Sequence, residues 1–323
     1  MDLAPKIAPS YAHFDELFSQ MRLRSGPVSV HNEGAILPCV RWVFPRSWLS
    51  DVAMITKLCH WAHGFDSLSI APLVRPGDYV GLEFAGAPLE SIYQSLQWDN
   101  SESLIIHSPL PQLSEAGLLV MDMDSTAIAI ECIDELAAMA GVGAEVAAVT
   151  ELAMQGELDF EQSLQRRVKL LAGADERIIT DLCQRLPLTP GLAVMCQTLK
   201  DNGWKLVLAS GGFTPFVSVL QHKLGLDDAY ANQLEIINGK LTGQVLGEIV
   251  DANYKASVLT QCAQRWHIAQ GQRLAIGDGA NDIPMLQASD FGIAFHAKPK
   301  LQSVAAAKIN RLDLQTLLFW LQA

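Results

Sequence analysis

The chain has 323 residues, half of them hydrophobic, and a formal net charge of −12. That length suits two domains, and the apolar content suits a large buried core. An acidic chain without a Lys/Arg-rich run is not built for nucleic acid, so an anionic substrate would need positive charge supplied locally. In chain order, "MDLAPKIAPSYAHFDELFSQ" at the N-terminus lacks a basic head followed by an apolar run, and no signal peptide is expected. Residues 1–110 read as a small α+β domain. "ILPCVRWVF", "SLSIAPLV" and "GDYVGLEFAG" have strand character, and "WLSDVAMITKLCHWAHGF" between them has helical apolar spacing. "SPLPQLSEAG", residues 108–117, reads as a linker.

Beyond it the pattern changes. "GLLVMD" is a short, fully apolar strand, and residues 130–186 are helical with breaks at "AGVG", "QGELD" and "AGADE", which predicts four short helices. "GLAVMCQTLKDNG" is a helix closed by Gly203, "WKLVLAS" a second buried strand, and "TPFVSVLQHKLG" a helix with Pro215 near its start. "NQLEIINGKLTGQVLGEIV" sets Asn-Gly between alternating apolar runs, a hairpin signal. "YKASVLTQCAQRW" is a helix, and "RLAIGD" and "FGIAF" are strands separated by a helix over about 282–288. Short apolar strands alternating with helices predict an α/β fold with a doubly wound, Rossmann-like parallel sheet. The helical stretch after the first strand is too long for one crossover and reads as an inserted cap, about 130–190, within a second domain over 111–323.

In such sheets ligands bind beyond the carboxyl ends of the strands. Three strands end in polar or Gly-rich turns, "VMDMDST", "VLASGGFTP" and "LAIGDGAND", which carry Asp122, Asp124, Ser210, Gly211, Asp278, Asn281 and Asp282 toward one crevice. Carboxylates gathered this closely call for a cation. Hard oxygen donors with no His or thiolate nearby suit Mg²⁺. A metal beside backbone N–H donors points to phosphoryl chemistry, and no GxxxxGK[ST] loop occurs to make it a P-loop site. The amides of "SGG", ahead of a helix, suit a phosphate. Two acids two residues apart can divide the work. Asp122, held ionised, attacks phosphorus, and Asp124, its pKa raised by repulsion, serves as general acid and base.

These residues resemble the haloacid dehalogenase superfamily, whose motifs stand here as "DMDST", Ser210 at a strand end, Lys255 ahead of a helix, and "GDGAND". "ECIDELA", "DFEQSLQRRVKLL", "PLTPG", "SGGF" and "IGDGANDIPML" narrow the resemblance to the phosphoserine phosphatases. The resemblance implies that Glu131 holds a substrate ammonium, Arg167 its carboxylate, and Phe160 covers the site. It also assigns Ser210, Gly211 and Lys255 to the phosphate, Asn281 to a substrate contact, Asp122, Asp124 and Asp278 to the metal, and Asp282 to a supporting position. The implied reaction is Mg²⁺-dependent hydrolysis of O-phospho-L-serine to L-serine and phosphate through an aspartyl-phosphate, the last step of serine biosynthesis. Without the resemblance, Glu131 and Arg167 read as solvated helix residues. Two alternatives stay open: another small phosphomonoester, hydrolysed or transferred to an acceptor, and an amino-acid sensor built on the N-terminal domain. Related bacterial enzymes have N-terminal extensions there, in some cases ACT-like domains, but no diagnostic ligand motif is visible in residues 1–110.

Other features point to structure. His60 and His63 lie one helical turn apart without further ligands nearby. Cys132 reads as a buried, inert thiol, and Lys298 and Lys300 as a surface loop near the crevice mouth. Six cysteines at 39, 59, 132, 183, 196 and 262 form no metal-ligand spacing, and no uncharged stretch is long enough to span a bilayer. The expectation is a cytoplasmic enzyme of a small-molecule substrate, with no nucleic-acid or membrane partner and with a homodimer left open.

Overall fold

The computed structural model describes Leu17, Val28–Val30 and residues 32–65 and 67–323. The chain divides into two compact units. One holds the described residues up to Glu115 together with Pro190–Gly203 and Ala307–Ala323, and the other holds Ala116–Thr189 and Trp204–Ala306.

The first unit contains β1 (Val28–Val30), β2 (Cys39–Pro45), α1 (Val52–Ala62), β3 (Leu68–Leu73), β4 (Tyr79–Ala85), α2 (Leu89–Ser95) and β5 (Glu102–Ile106). Its sheet has the order β1-β3-β4-β2-β5. The run from β2 to β5 is a ferredoxin-like βαββαβ unit. Helix α1 starts later than its apolar spacing suggests because the Asp51 side chain accepts from the N–H groups of Ala53 and Met54 and caps it there. The residues before it, Arg46–Ser50, form a 3₁₀ turn. Trp42, Phe44, Ile70, Leu82 and Phe84 pack with Leu58, Cys59 and Ala62 into one apolar core. Helix α2 and strand β5, seven and five residues long, are too short to establish a period in the sequence.

Arg41 and Glu83 are buried on neighbouring strands, joined Nε to Oε2 at 3.0 Å. Arg41 Nη1 also donates to the carbonyls of Phe319 (2.8 Å) and Leu321 (2.7 Å). Arg75 Nε donates to that of Leu318 at 3.0 Å. Two buried guanidinium groups thus satisfy the carbonyls of the C-terminal segment, as buried charges require. Part of the stretch read as a linker is also tied down, since Leu113 N donates to Gln322 O (2.7 Å) and Gln322 N to Pro111 O (2.9 Å).

The second unit contains β6 (Leu118–Met121), then α3 (Cys132–Ala140), α4 (Gly143–Met154), α5 (Phe160–Leu170) and α6 (Arg177–Gln184), the four cap helices. There follow β7 (Lys205–Phe213), α7 (Thr214–Leu224), β8 (Asp228–Ile237), β9 (Lys240–Leu246), α8 (Ala252–Arg265), β10 (Arg273–Gly277), α9 (Ile283–Ala288) and β11 (Phe291–Phe295). The strands lie in the order β11-β10-β6-β7-β8-β9, parallel except for the β8–β9 hairpin. Central β6 is four apolar residues, all buried, as a strand covered on both faces should be. The hairpin turns at Asn238 and Gly239, with φ of +51° and +76°, the positive pair that a type I′ turn requires. Its tip is bonded to the cap: Gly173 N donates to Leu241 O (2.8 Å) and Leu241 N to Ala174 O (2.9 Å). Among the described residues no helix is long and apolar enough to cross a membrane.

Candidate active site

The parallel register pairs Met121 with Ile276 on one side and with Leu208 on the other. The residues that follow these three therefore emerge together, and Asp122 N still donates to Ile276 O at 3.0 Å. Past Asp122 the chain turns sharply. Ser125 takes a left-handed φ of +56°, uncommon for a residue with a side chain and a mark of local strain. Its N–H donates to Ile130 O (3.2 Å) and its hydroxyl to Glu131 Oε1 (2.7 Å), which offsets that strain. The turn brings Asp124 to the start of α3, where Cys132 N–H donates to Oδ1 at 3.0 Å.

Lys255 sits on the first turns of α8, which is capped by the Asp251 side chain. Its buried ammonium lies 2.8 Å from Asp122 Oδ1 and 2.8 Å from Asp282 Oδ1. The other oxygen of Asp282 accepts from Asp278 N (3.2 Å) and Gly279 N (3.0 Å), so Asp282 is fully engaged in holding the "GDGAND" turn. Asp122, Asp278 and Asp282 each offer a carboxylate oxygen, all within 4.8 Å of one another. Among the described residues this is the one group of three or more acids, histidines or cysteines placed to hold a metal. Its donors are all hard oxygens, which suit a hard divalent cation better than a softer ion.

A cavity of about 470 Å³ opens over these acids. Asp122, Asp124, Gly211, Asp278 and Asn281 line its floor side, and Glu131, Phe160 and Arg167 line it from the cap. Ser210, Lys255 and Asp282 are buried and do not line it. Helix α5, which carries Phe160 and Arg167, is fixed at its start by an Asp159–Gln162 capping box. A Cβ on Gly211 would stand 2.7 Å from the Phe160 ring, so a larger residue there would require the cap aromatic to shift. Lys298, read from the sequence as a loop lysine, also lines the cavity. Cys132 is buried beside Asp124, and burial, then that carboxylate, pushes its thiol up. A buried thiol held in its protonated form is a poor nucleophile.

Burial is the first cause of the acids' altered titration. It pushes Asp124 up to about 7, aided by Glu131, and Asp278 up to about 6, aided by Asp282. Asp122 is also raised, by burial and then by Asp282 against the pull of Lys255. Burial pulls the Lys255 ammonium down, but Asp122 and Asp282 outweigh it and leave it above its ordinary value. Repulsion between carboxylates, the cause read from the sequence, is thus the smaller contribution at Asp124. A carboxyl whose folded pKa is raised stabilises the fold below its unfolded value, and this contribution is lost as pH rises through the folded one. Metal-free protein should therefore melt at a higher temperature at about pH 5 than at about pH 8. Calorimetry in chelator across that range checks this, and a flat or opposite slope would contradict the burial of these acids.

The haloacid dehalogenase-like hydrolase family matches residues 119–287. The phosphoserine phosphatase of Haemophilus influenzae is 54% identical over 213 residues, 66% of this chain and 68% of that protein. A solved structure of a probable phosphoserine phosphatase from Vibrio cholerae, in unliganded form, superposes with a TM-score of 0.73 at 41% identity, covering 88% of this chain and 86% of that one. A structure described as a phospho-aspartyl intermediate analogue of phosphoserine phosphatase superposes with a TM-score of 0.61 at 40% identity, over 64% of this chain and 99% of that one. With the acids, the lysine and the cap cavity set as described, the chain belongs to the haloacid dehalogenase-like hydrolases and, within them, to the phosphoserine phosphatase family.

Proposed function

We propose that the enzyme hydrolyses O-phospho-L-serine to L-serine and phosphate, with Asp122 as nucleophile, Asp124 as general acid and base, and Mg²⁺ as the metal. One observation carries the choice of substrate: Glu131 and Arg167 line the same cavity as Asp122. An acid and a guanidinium beside a phosphate site suit an ester that bears an ammonium and a carboxylate. The names of the relatives point the same way.

In this reading Asp122 and Asp278 would hold the metal, with Asp124 as the third ligand expected from the family motif and Asp282 behind them. When bound, Mg²⁺ offsets charge on the phosphoryl oxygens. Asp122, one oxygen engaged by Lys255 and by Met123 N–H (2.7 Å), attacks phosphorus with the other. The bond from phosphorus to the serine oxygen breaks, and Asp124 gives that oxygen its proton. Asp124, with a pKa near 7, then takes a proton from the water that hydrolyses the aspartyl-phosphate. The amides around Gly211, which lines the cavity, receive the phosphoryl oxygens, with the buried Ser210 beneath them as the family motif expects, and Asn281 adds a substrate contact. All these groups lie in the second unit, which we assign as the catalytic domain, with the ferredoxin-like unit accessory to it. All six cysteines are free, in keeping with a cytoplasmic location.

Phosphate release across a panel of phosphomonoesters, with and without Mg²⁺, tests the reading, and a preferred substrate lacking an amino or a carboxyl group would overturn it. Arg167→Ala should lower kcat/KM for phosphoserine by about ten- to a hundredfold, the worth of a charged bidentate contact. It should barely change turnover of phosphoethanolamine, which has no carboxylate. Glu131→Gln should slow both amines and spare 3-phospholactate. Equal losses on phosphoserine and phosphoethanolamine in Arg167→Ala would assign that arginine to the phosphate or to the fold.

A further inference from the structure

We infer that Asn232 is a positioning residue for the phosphate-binding loop, acting through the Gly211–Gly212 peptide on the Ser210 hydroxyl; the inference rests on the phosphatase reading of this site. Asn232 lies on β8 and is 1% exposed. The β7–β8 ladder is irregular between Ala209 and Phe213, so the "SGG" backbone leaves its regular strand pairing before Phe213 pairs with Asn232. The Asn232 side chain takes over there, with Nδ2 donating to Gly211 O at 2.9 Å.

That bond sets a peptide plane. In a trans peptide the carbonyl of one residue and the N–H of the next point in opposite directions. Holding Gly211 O toward β8 therefore turns Gly212 N–H the other way, where it donates to Ser210 Oγ at 2.9 Å. A hydroxyl that accepts from that side keeps its own hydrogen for another acceptor. In the phosphatase reading that acceptor is a phosphoryl oxygen seated on Gly211 and Gly212, which line the cavity above the buried Ser210. The rest of the amide is equally committed, because Oδ1 accepts from Val250 N at 2.9 Å. Val250 precedes Asp251, the cap of α8, and Lys255 N donates to Asp251 O at 3.0 Å. One buried amide thus links the loop that receives the phosphate to the helix that presents Lys255. The pairing needs a donor at one end and an acceptor at the other. Asparagine supplies both, and an aspartate of the same shape supplies only the acceptor.

The test is Asn232→Asp, which keeps the bond to Val250 and sets a carboxylate against Gly211 O. Competitive inhibition by inorganic phosphate should weaken by about tenfold or more, with kcat/KM falling by a similar factor for phosphoserine and phenyl phosphate alike. Residues that only support the fold would lower the melting temperature without moving the phosphate inhibition constant. A cycle with Ser210→Ala separates the two roles: on that background Asn232→Asp should cost less than about threefold, because the route through the hydroxyl is already gone. Should the aspartate variant not fold, Asn232→Ser, which removes the same donor without adding charge, carries the same measurements. A folded variant whose phosphate inhibition stays within twofold of wild type, or full additivity in the cycle, would overturn the inference. A wild-type enzyme that binds phosphate but ignores phosphoserine would overturn the proposed substrate and leave Asn232 in place.

Discussion

Asp122→Asn should fold, melt no lower than the parent at pH 8, and lose turnover by about four orders of magnitude or more. The two expectations come from different atoms of one side chain. Asp122 Oδ1 accepts from Met123 N and from Lys255 Nζ, and an amide oxygen in the same place can accept both bonds. The carboxylate it replaces is buried and sits near Asp282, and both raise its pKa, so charging it costs the fold something at neutral pH. Removing that charge relieves the cost, and Lys255 keeps its contact with Asp282 at 2.8 Å. Chemistry has no such substitute, because an amide nitrogen cannot displace an alkoxide from phosphorus. Single-turnover mixing followed by hydroxylamine trapping should find an acyl phosphate in the parent and none in the variant. Residual turnover within tenfold of wild type would remove Asp122 from the nucleophile's role.

What the sequence revealed and what it hid divide along contact distance. Asp122 and Asp278 were legible because β6 is a fully apolar run and β10 has no polar side chain after Arg273, and a polar residue ending such a run in a parallel sheet has only one place to go. The cap breaks were legible for local reasons too: Gly141, Gly156 and Gly173 all adopt positive φ, where a side chain is disfavoured. The same holds for the Asn238–Gly239 turn. Asn232 was hidden. Its partners lie 21 and 18 residues away, and its one local trace is a residue of poor strand propensity inside a strand. Arg41 was hidden more deeply, since it meets carbonyls 278 and 280 residues further on. Neither contact leaves a period in the sequence. Lys298 was legible as an exposed loop residue near the crevice mouth, and it does line the cavity from the turn after β11.

Lys255→Met should destabilise the fold and abolish most turnover, and the two losses should respond differently to a second mutation. Methionine fills nearly the same volume but carries no charge, so Asp122 and Asp282 would be left facing each other in a buried site. Removing one partner of a buried ion pair costs about 3–5 kcal/mol. The deficit should shrink as pH falls. Asp122 is already raised by burial, and without the ammonium that opposes this it binds a proton still more tightly in the folded state than in the unfolded chain. The stability this proton uptake contributes is present below the unfolded pKa and lost as pH rises through the folded one. Urea unfolding should therefore show a larger gap between variant and parent at about pH 8 than at about pH 5. Adding Asp282→Asn should recover much of the stability, since an amide oxygen can still accept from Asp278 N and Gly279 N. It should recover none of the turnover, because the cation facing Asp122 and the phosphoryl oxygens is still missing, at a cost of about a thousandfold. If Lys255→Met matches the parent in urea at pH 8, the lysine does not hold these acids together. If the double variant regains activity, its role in the reaction is indirect.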